Sequence, residues 1–318
     1  MNNLRAGLLI SFLSITIAEF ATGSTPLTDI VVNPASFFLF SIPSLLGLYG
    51  CGVLLIREAT IKWRKGWPTT LLMGMAYGIM EEGVSVHTFF APVNHTVGVL
   101  GDYGRVMGLN FTWAIMITLF HSVFSISLPI MISGRIWPEL RTRRLLTKRS
   151  GILVLTGFAV TVTILDTVAP YRPSPAYIIL LLVAAAILAY AAIRLPVTLF
   201  TRHIESSAMT RYLLLGLVFF PFILIFSTNQ RFLPPIFPDI EMVTVAILIY
   251  WQFETRVNLH IPKQTAFMSL GLLAPVIAFG IVVSIISNPL GLVAIVALVY
   301  LLMRIFRATS ASSQIIEF

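Results

Sequence analysis

Two adjacent carboxylates, Glu81 and Glu82, stand inside an apolar run from Trp67 to Phe90, and His121 stands in the next such run. A carboxylate that takes a proton from water, with a histidine that holds a metal or steadies the developing charge, makes a general-base site. The same acids could instead form the intramembrane ion site of a proton- or cation-coupled transporter. The run is long enough to cross a bilayer as a helix. Insertion scales put one acid near the centre of such a helix at roughly 2.5–3.5 kcal/mol. Residues that costly are usually turned inward, partnered and functional. The plain structural reading is a packing face whose two glutamates are protonated and bonded to neighbouring helices.

Helix geometry gives each residue a direction. With Gly74 at zero, Gly78 lies near about +40°, Glu81 about −20°, Glu82 about +80°, Ser85 about +20° and His87 about −140°. Gly74 and Gly78 form a small-xxx-small pair, a surface for close helix contact in lipid. Glu81 is therefore expected on the packed face, Glu82 at its edge and His87 on the far side. In the following span Asn110, Ile117, His121 and Ser125 share a stripe, and Ser125 is one turn from His121. Glu81 and His121 each lie about nine or ten residues below the outer end of their spans, roughly 14 Å down. Antiparallel neighbours would bring them together.

The rest of the chain is built to hold such a site in lipid. Of 318 residues, 57% are hydrophobic and 11% are charged, against about 25% charged in an ordinary soluble domain. Mean hydropathy is +0.92. The expected fold is all-α: a single transmembrane helical domain over 1–318, with its site core at 57–132 and no soluble domain. About ten spans are expected, near 6–23, 35–56, 67–90, 111–132, 151–170, 176–194, 212–228, 240–254, 265–286 and 289–306. Placing the N-terminus in the cytoplasm puts all but three of the 21 Lys and Arg in inside segments; Arg105, Arg172 and Arg231 fall outside. That bias orients both termini to the cytoplasm. The net charge of +8 is thus read as membrane topology and not as a nucleic-acid surface. The lone Cys51 excludes an internal disulfide and a Cys-rich zinc site. The expected setting is the plasma membrane, with lipid as one partner.

Other polar residues have quieter expected roles. The first run resembles a signal peptide in its charged start, but it is long and carries Glu19, so it is read as a span. Arg57-Glu58 is read as a snorkelling anchor at the inner interface. Asn94-His95-Thr96 and Asn110-Phe111-Thr112 match the glycosylation sequon, a frequent chance match. Gly98, Gly101 and Gly104 are read as turns. Asp166 is assigned a structural role, His203 and His260 solvated cytoplasmic loops, and Pro221 and Pro275 kinks. No sequence repeat is present.

The glutamate pair followed by a histidine in the next span resembles the CAAX protease and bacteriocin-processing family of intramembrane endopeptidases. The family's first motif is two glutamates, three residues and an arginine. Here Glu81-Glu82-Gly83-Val84-Ser85-Val86 puts Val86 in the arginine's place. The second motif is phenylalanine, three residues, then histidine; His121 fits and Ile117 replaces the phenylalanine. The third, a histidine followed four residues later by Asn or Asp, has no counterpart in the later spans. The resemblance covers about residues 57–132. It implies Glu81 as the water-activating base, Glu82 as its partner, and His121 as a second activating group or metal ligand. It also implies peptide or membrane-protein substrates. Glu81, Glu82 and His121 together could hold a divalent metal such as zinc, which favours such ligands with one position open for water.

Overall fold

In lipid every backbone N–H and C=O must be satisfied within its own segment, so an apolar chain becomes helices. The computed structural model describes residues 1–92, 101–200, 209–222, 232–257 and 261–313. It contains α1 (Asn3–Phe20) and α2 (Pro34–Lys62), then α3 (Trp67–Gly78, continued by a π-helical stretch Ile79–Ser85). There follow α4 (Phe111–Ile136), α5 (Lys148–Val168), α6 (Pro175–Arg194), α7 (Met209–Pro221), α8 (Ile236–Arg256), α9 (Pro262–Ile286) and α10 (Gly291–Ser313). Each expected span overlaps one of these helices. Among the described residues, α1, α2, α4, α5, α6, α8 and α9 are long and apolar enough to cross a membrane. The chain is an all-α membrane protein. The second half of the 212–228 span, Asn94-His95-Thr96, Gly98, His203 and His260 lie outside the described residues.

Local sequence sets the helix ends. Asn2 accepts a hydrogen bond from Arg5 N to cap α1, and Thr147 with Ser150 forms a reciprocal capping box at α5. Asn110 caps α4: its side chain accepts from Trp113 N at 2.9 Å and donates to Gly101 O at 3.2 Å. It is fully buried, so the second sequon is a helix cap and not a glycosylation acceptor. Just before it, β1 (Arg105–Val106) pairs antiparallel with β2 (Leu109–Asn110), turning through Met107 and Gly108 at positive φ. Arg105 ties this loop down by donating to Phe90 O, Ala91 O and Gly101 O at 2.8–3.0 Å.

The core sits where α3 and α4 cross, flanked by α1, α2, α5 and α6. Close approach is enforced by missing side chains. A Cβ on Gly74 would lie 2.8 Å from Ser122 Cα, and one on Gly78 would lie 3.1 Å from Thr118 Cα and 3.3 Å from His121 Cβ. The expected small-residue seam is therefore the α3–α4 contact, and it carries the histidine. Both α7 and α10 pack on α9, and α9 and α10 lean on the C-terminal part of α4.

Arg57-Glu58 differs from the expected snorkelling anchor. Arg57 is 2% exposed. Its Nη1 donates to Glu58 Oε1 at 2.6 Å, and its Nη2 donates to Leu140 O and to Arg143 O. Glu58 accepts from Leu145 N at 2.8 Å and Leu146 N at 3.2 Å. The segment after α4 folds back over the pair and supplies the carbonyls and amides that water would have given. The pair is a clasp between α2 and that segment.

Candidate functional site

The polar residues of the core gather on π-helical turns. In such a turn the N–H bonds to the carbonyl five residues back, which widens the helix and often marks a functional site. Val86 N bonds to Glu81 O at 2.9 Å and Ala21 N to Thr16 O at 2.9 Å. Glu19 lies in the turn Thr16–Phe20, Tyr49 in Leu46–Gly50, Glu81 and Glu82 in Ile79–Ser85, and His121 and Ser125 in His121–Ser127. Four helices thus each break regular α geometry where they contribute to one cluster.

The expected residues do come together. His121 Nε2 lies 3.0 Å from Glu82 Oε1, and Nδ1 lies 3.2 Å from Glu81 Oε2 and 2.9 Å from Ser125 Oγ. Glu81, Glu82 and His121 are 3%, 7% and 2% exposed. Glu82 is not at the edge of the contact, as ideal α geometry implies; the widened turn carries both acids to the ring, one on each nitrogen. Glu82 Oε2 accepts from the Thr88 hydroxyl, and Thr88 Oγ1 in turn accepts from Trp113 Nε1 at 2.9 Å. Both oxygens of Glu82 are therefore occupied. Glu81 Oε2 makes no hydrogen bond, because its approach to Nδ1 is off the bonding direction. Tyr77 Oη and Ser85 Oγ are likewise buried without a well-directed hydrogen bond, though Tyr77 lies close enough to Glu81 to interact with it. These three orphaned atoms follow at four-residue intervals along α3.

Three residues of the cluster escaped the sequence reading. Tyr49, tilted, and Tyr77, edge-on, pack their rings against His121, with centroids 6.0 and 5.9 Å away. Gly52 gives Tyr77 its place, since a Cβ there would come within 2.4 Å of the Tyr77 ring. The Tyr49 hydroxyl donates to Glu19 Oε1, and Thr25 Oγ1 donates to Glu19 Oε2 at 2.7 Å. Glu19 is thus a third carboxylate at the cluster, near enough for its charge to act on Glu81 and His121. An acid in an otherwise apolar first run was the available signal. Of the other polar residues, His87 is buried at φ 58° with Nε2 3.0 Å from Asp166 Oδ1 and Nδ1 2.6 Å from Tyr171 O. It stays away from the cluster, and Asp166 has the structural role expected of it.

One ligand atom from each of Glu81, Glu82 and His121 lies within 4.8 Å of the others. The donor types suit zinc. The arrangement does not, because the acids face opposite ring nitrogens, whereas an ion takes one nitrogen and gathers its ligands there. A single ion would need Glu81 to swing around the ring.

An all-α membrane protein with a buried acid–imidazole cluster on π-helical turns is the class these observations define. A profile of an uncharacterized membrane protein family matches residues 8–316, and the chain belongs to that family. No curated protein and no solved structure matches it.

Proposed function

We propose that this protein is an intramembrane glutamate/histidine hydrolase that cleaves peptide bonds in or at the membrane, as its resemblance to the CAAX protease and bacteriocin-processing endopeptidases implies. The reading rests on one observation: His121 stands between two buried carboxylates, of which Glu82 is fully bonded and Glu81 touches the ring at 3.2 Å through an oxygen that makes no directed hydrogen bond. The bonded acid orients the ring. The free one is placed to accept a proton from a water molecule. That water adds to the scissile carbonyl, and Glu81 returns the proton to the leaving amine. The imidazole stays held by Glu82 at Nε2 and gives up its bond to Ser125, so that Nδ1 can donate toward the developing oxyanion. The orphaned Tyr77 hydroxyl is a further donor at hand for the half of the site that the absent third motif would have supplied. An apolar cleft of about 690 Å³ runs beside α3 and α4, walled by Met75, Ile79, Thr118, Ser122, Phe219 and Leu272, with Glu81, Glu82 and His121 outside its wall. It suits an apolar peptide segment arriving through the bilayer.

In this reading the ten helices all cross the plasma membrane and both termini are cytoplasmic. The test is cleavage of a quenched peptide library by the purified full chain, compared with Glu81→Gln and His121→Ala. Full activity in either variant removes the assignment.

Glu19 favours a second reading. With Tyr49 the half-buried Glu19 extends the acids toward the end of α1, as a proton- or cation-coupled transporter requires. Proton flux into proteoliposomes that is lost in both Glu19→Gln and Glu81→Gln, without peptide cleavage, would establish it.

A further inference from the structure

A second cavity, of about 620 Å³, opens at the start of α3, some 14 residues and about 21 Å along the helix from Glu81. Its wall takes Arg57, Thr60, Arg64 and Lys65 from the end of α2 and the turn after it. Gly66, Trp67 and Thr70 come from the start of α3, and Gly134, Arg141 and Thr142 from the far end of α4 and beyond. Four cations line the wall and no carboxylate does. Arg57 is already matched by Glu58. Among the described residues Arg64, Lys65 and Arg141 have no carboxylate within ion-pair distance.

Neighbouring carbonyls fix two of these cations without neutralising them. Lys65 Nζ donates to Leu195 O at 2.7 Å, and Arg141 Nε donates to Gly134 O at 2.8 Å. Arg141 is half-buried, and burial holds its guanidinium below the usual range with no acid to offset it. Arg135 adds like charge close enough to oppose it. Such a concentration of positive charge in a partly closed space is stabilised by an anion. The start of α3 adds to the attraction: Gly66 offers no side chain to the first-turn amides, and a helix N-terminus favours negative charge. Trp67 on the rim is the residue type that settles at headgroup level.

We propose that this cavity binds an anionic phosphate group between Arg64, Lys65 and Arg141, supplied by the headgroup of an acidic phospholipid. Guanidinium and ammonium groups together suit a phosphate: the fork bonds two oxygens while the point charge neutralises. The site is independent of the hydrolytic reading, and its readout is binding alone.

The test uses the full chain in detergent, with native mass spectrometry after exposure to phosphatidylglycerol or phosphatidylcholine, and thermal melting with and without millimolar inorganic phosphate. Phosphatidylglycerol is expected to be retained about fivefold over phosphatidylcholine, on the scale of one cation's contribution near a membrane surface. The preference should fall to about one in Arg141→Gln and in Arg64→Gln/Lys65→Gln. Arg149→Gln removes an exposed cation of α5 outside the wall and should leave the preference intact. Phosphate protection against melting without lipid preference, lost in the same variants, would keep the site and assign it to free phosphate. Equal retention of both lipids with no phosphate protection would overturn the proposal. So would a loss in Arg149→Gln equal to that in Arg141→Gln. If Arg141→Gln shows no cooperative melt, the Arg64→Gln/Lys65→Gln pair decides.

Discussion

Two buried ionic groups share α2, α3 and their neighbours, and they are finished to different degrees. In the Arg57–Glu58 clasp the cation is matched by an acid and two carbonyls, and the acid by two backbone amides. In the Glu81–His121–Glu82 cluster two acids share one imidazole, and Glu81 Oε2, Tyr77 Oη and Ser85 Oγ make no directed hydrogen bond. A polar group left unpaired in a buried setting costs about 1–3 kcal/mol. The clasp leaves no bonding capacity over, whereas the cluster keeps some, which the proposed hydrolysis would use.

That contrast can be broken by experiment. Glu81→Gln should lower peptide cleavage about 10³-fold, in the range of general-base losses, while the melting temperature in detergent holds steady or rises. A fall in melting temperature with activity kept would reverse the two roles. Arg57→Met should do the opposite. Leaving Glu58 buried without its cation costs about 3–5 kcal/mol, seen as a lower melting temperature and yield, with turnover per folded molecule unchanged. Arg57→Met/Glu58→Leu should recover most of that loss. Gly78→Leu should lower both activity and stability, because it drives α3 from Thr118 and His121; about 10-fold lower activity with about 2 kcal/mol of destabilisation is expected from overpacking. Ser125→Ala should be mildest, removing one hydrogen bond to Nδ1 worth about 1 kcal/mol, or about fivefold in cleavage. A chelator should leave cleavage unchanged; loss of activity restored by added zinc would show that Glu81 does swing around the ring.

The sequence made some of this legible and hid the rest for physical reasons. Glu81, Glu82 and His121 stood out because charge in an apolar span is expensive, and Gly74 with Gly78 announced the close contact that brings them together. The turn geometry was hidden. Ideal α angles put Glu82 at the edge, while the widened turn Ile79–Ser85 delivers it to Nε2. Glu19 tells only against a signal peptide when read in the sequence alone. Its role depends on Tyr49 and Thr25, whose approach no local pattern records. Arg57-Glu58 was misread for a related cause. Snorkelling assumes water within reach, but the segment at 140–146 folds over the pair.

The widened turns carry a consequence for how such a protein can change. Each holds one residue more than the regular helix would need, so losing a single residue from Ile79–Ser85 would restore ordinary α spacing and swing everything beyond it by about 100°. The Gly74–Gly78 seam before the turn would stay, and the acids would point elsewhere. For the proposed hydrolase, the loss or insertion of one residue would be enough to lose the chemistry or regain it.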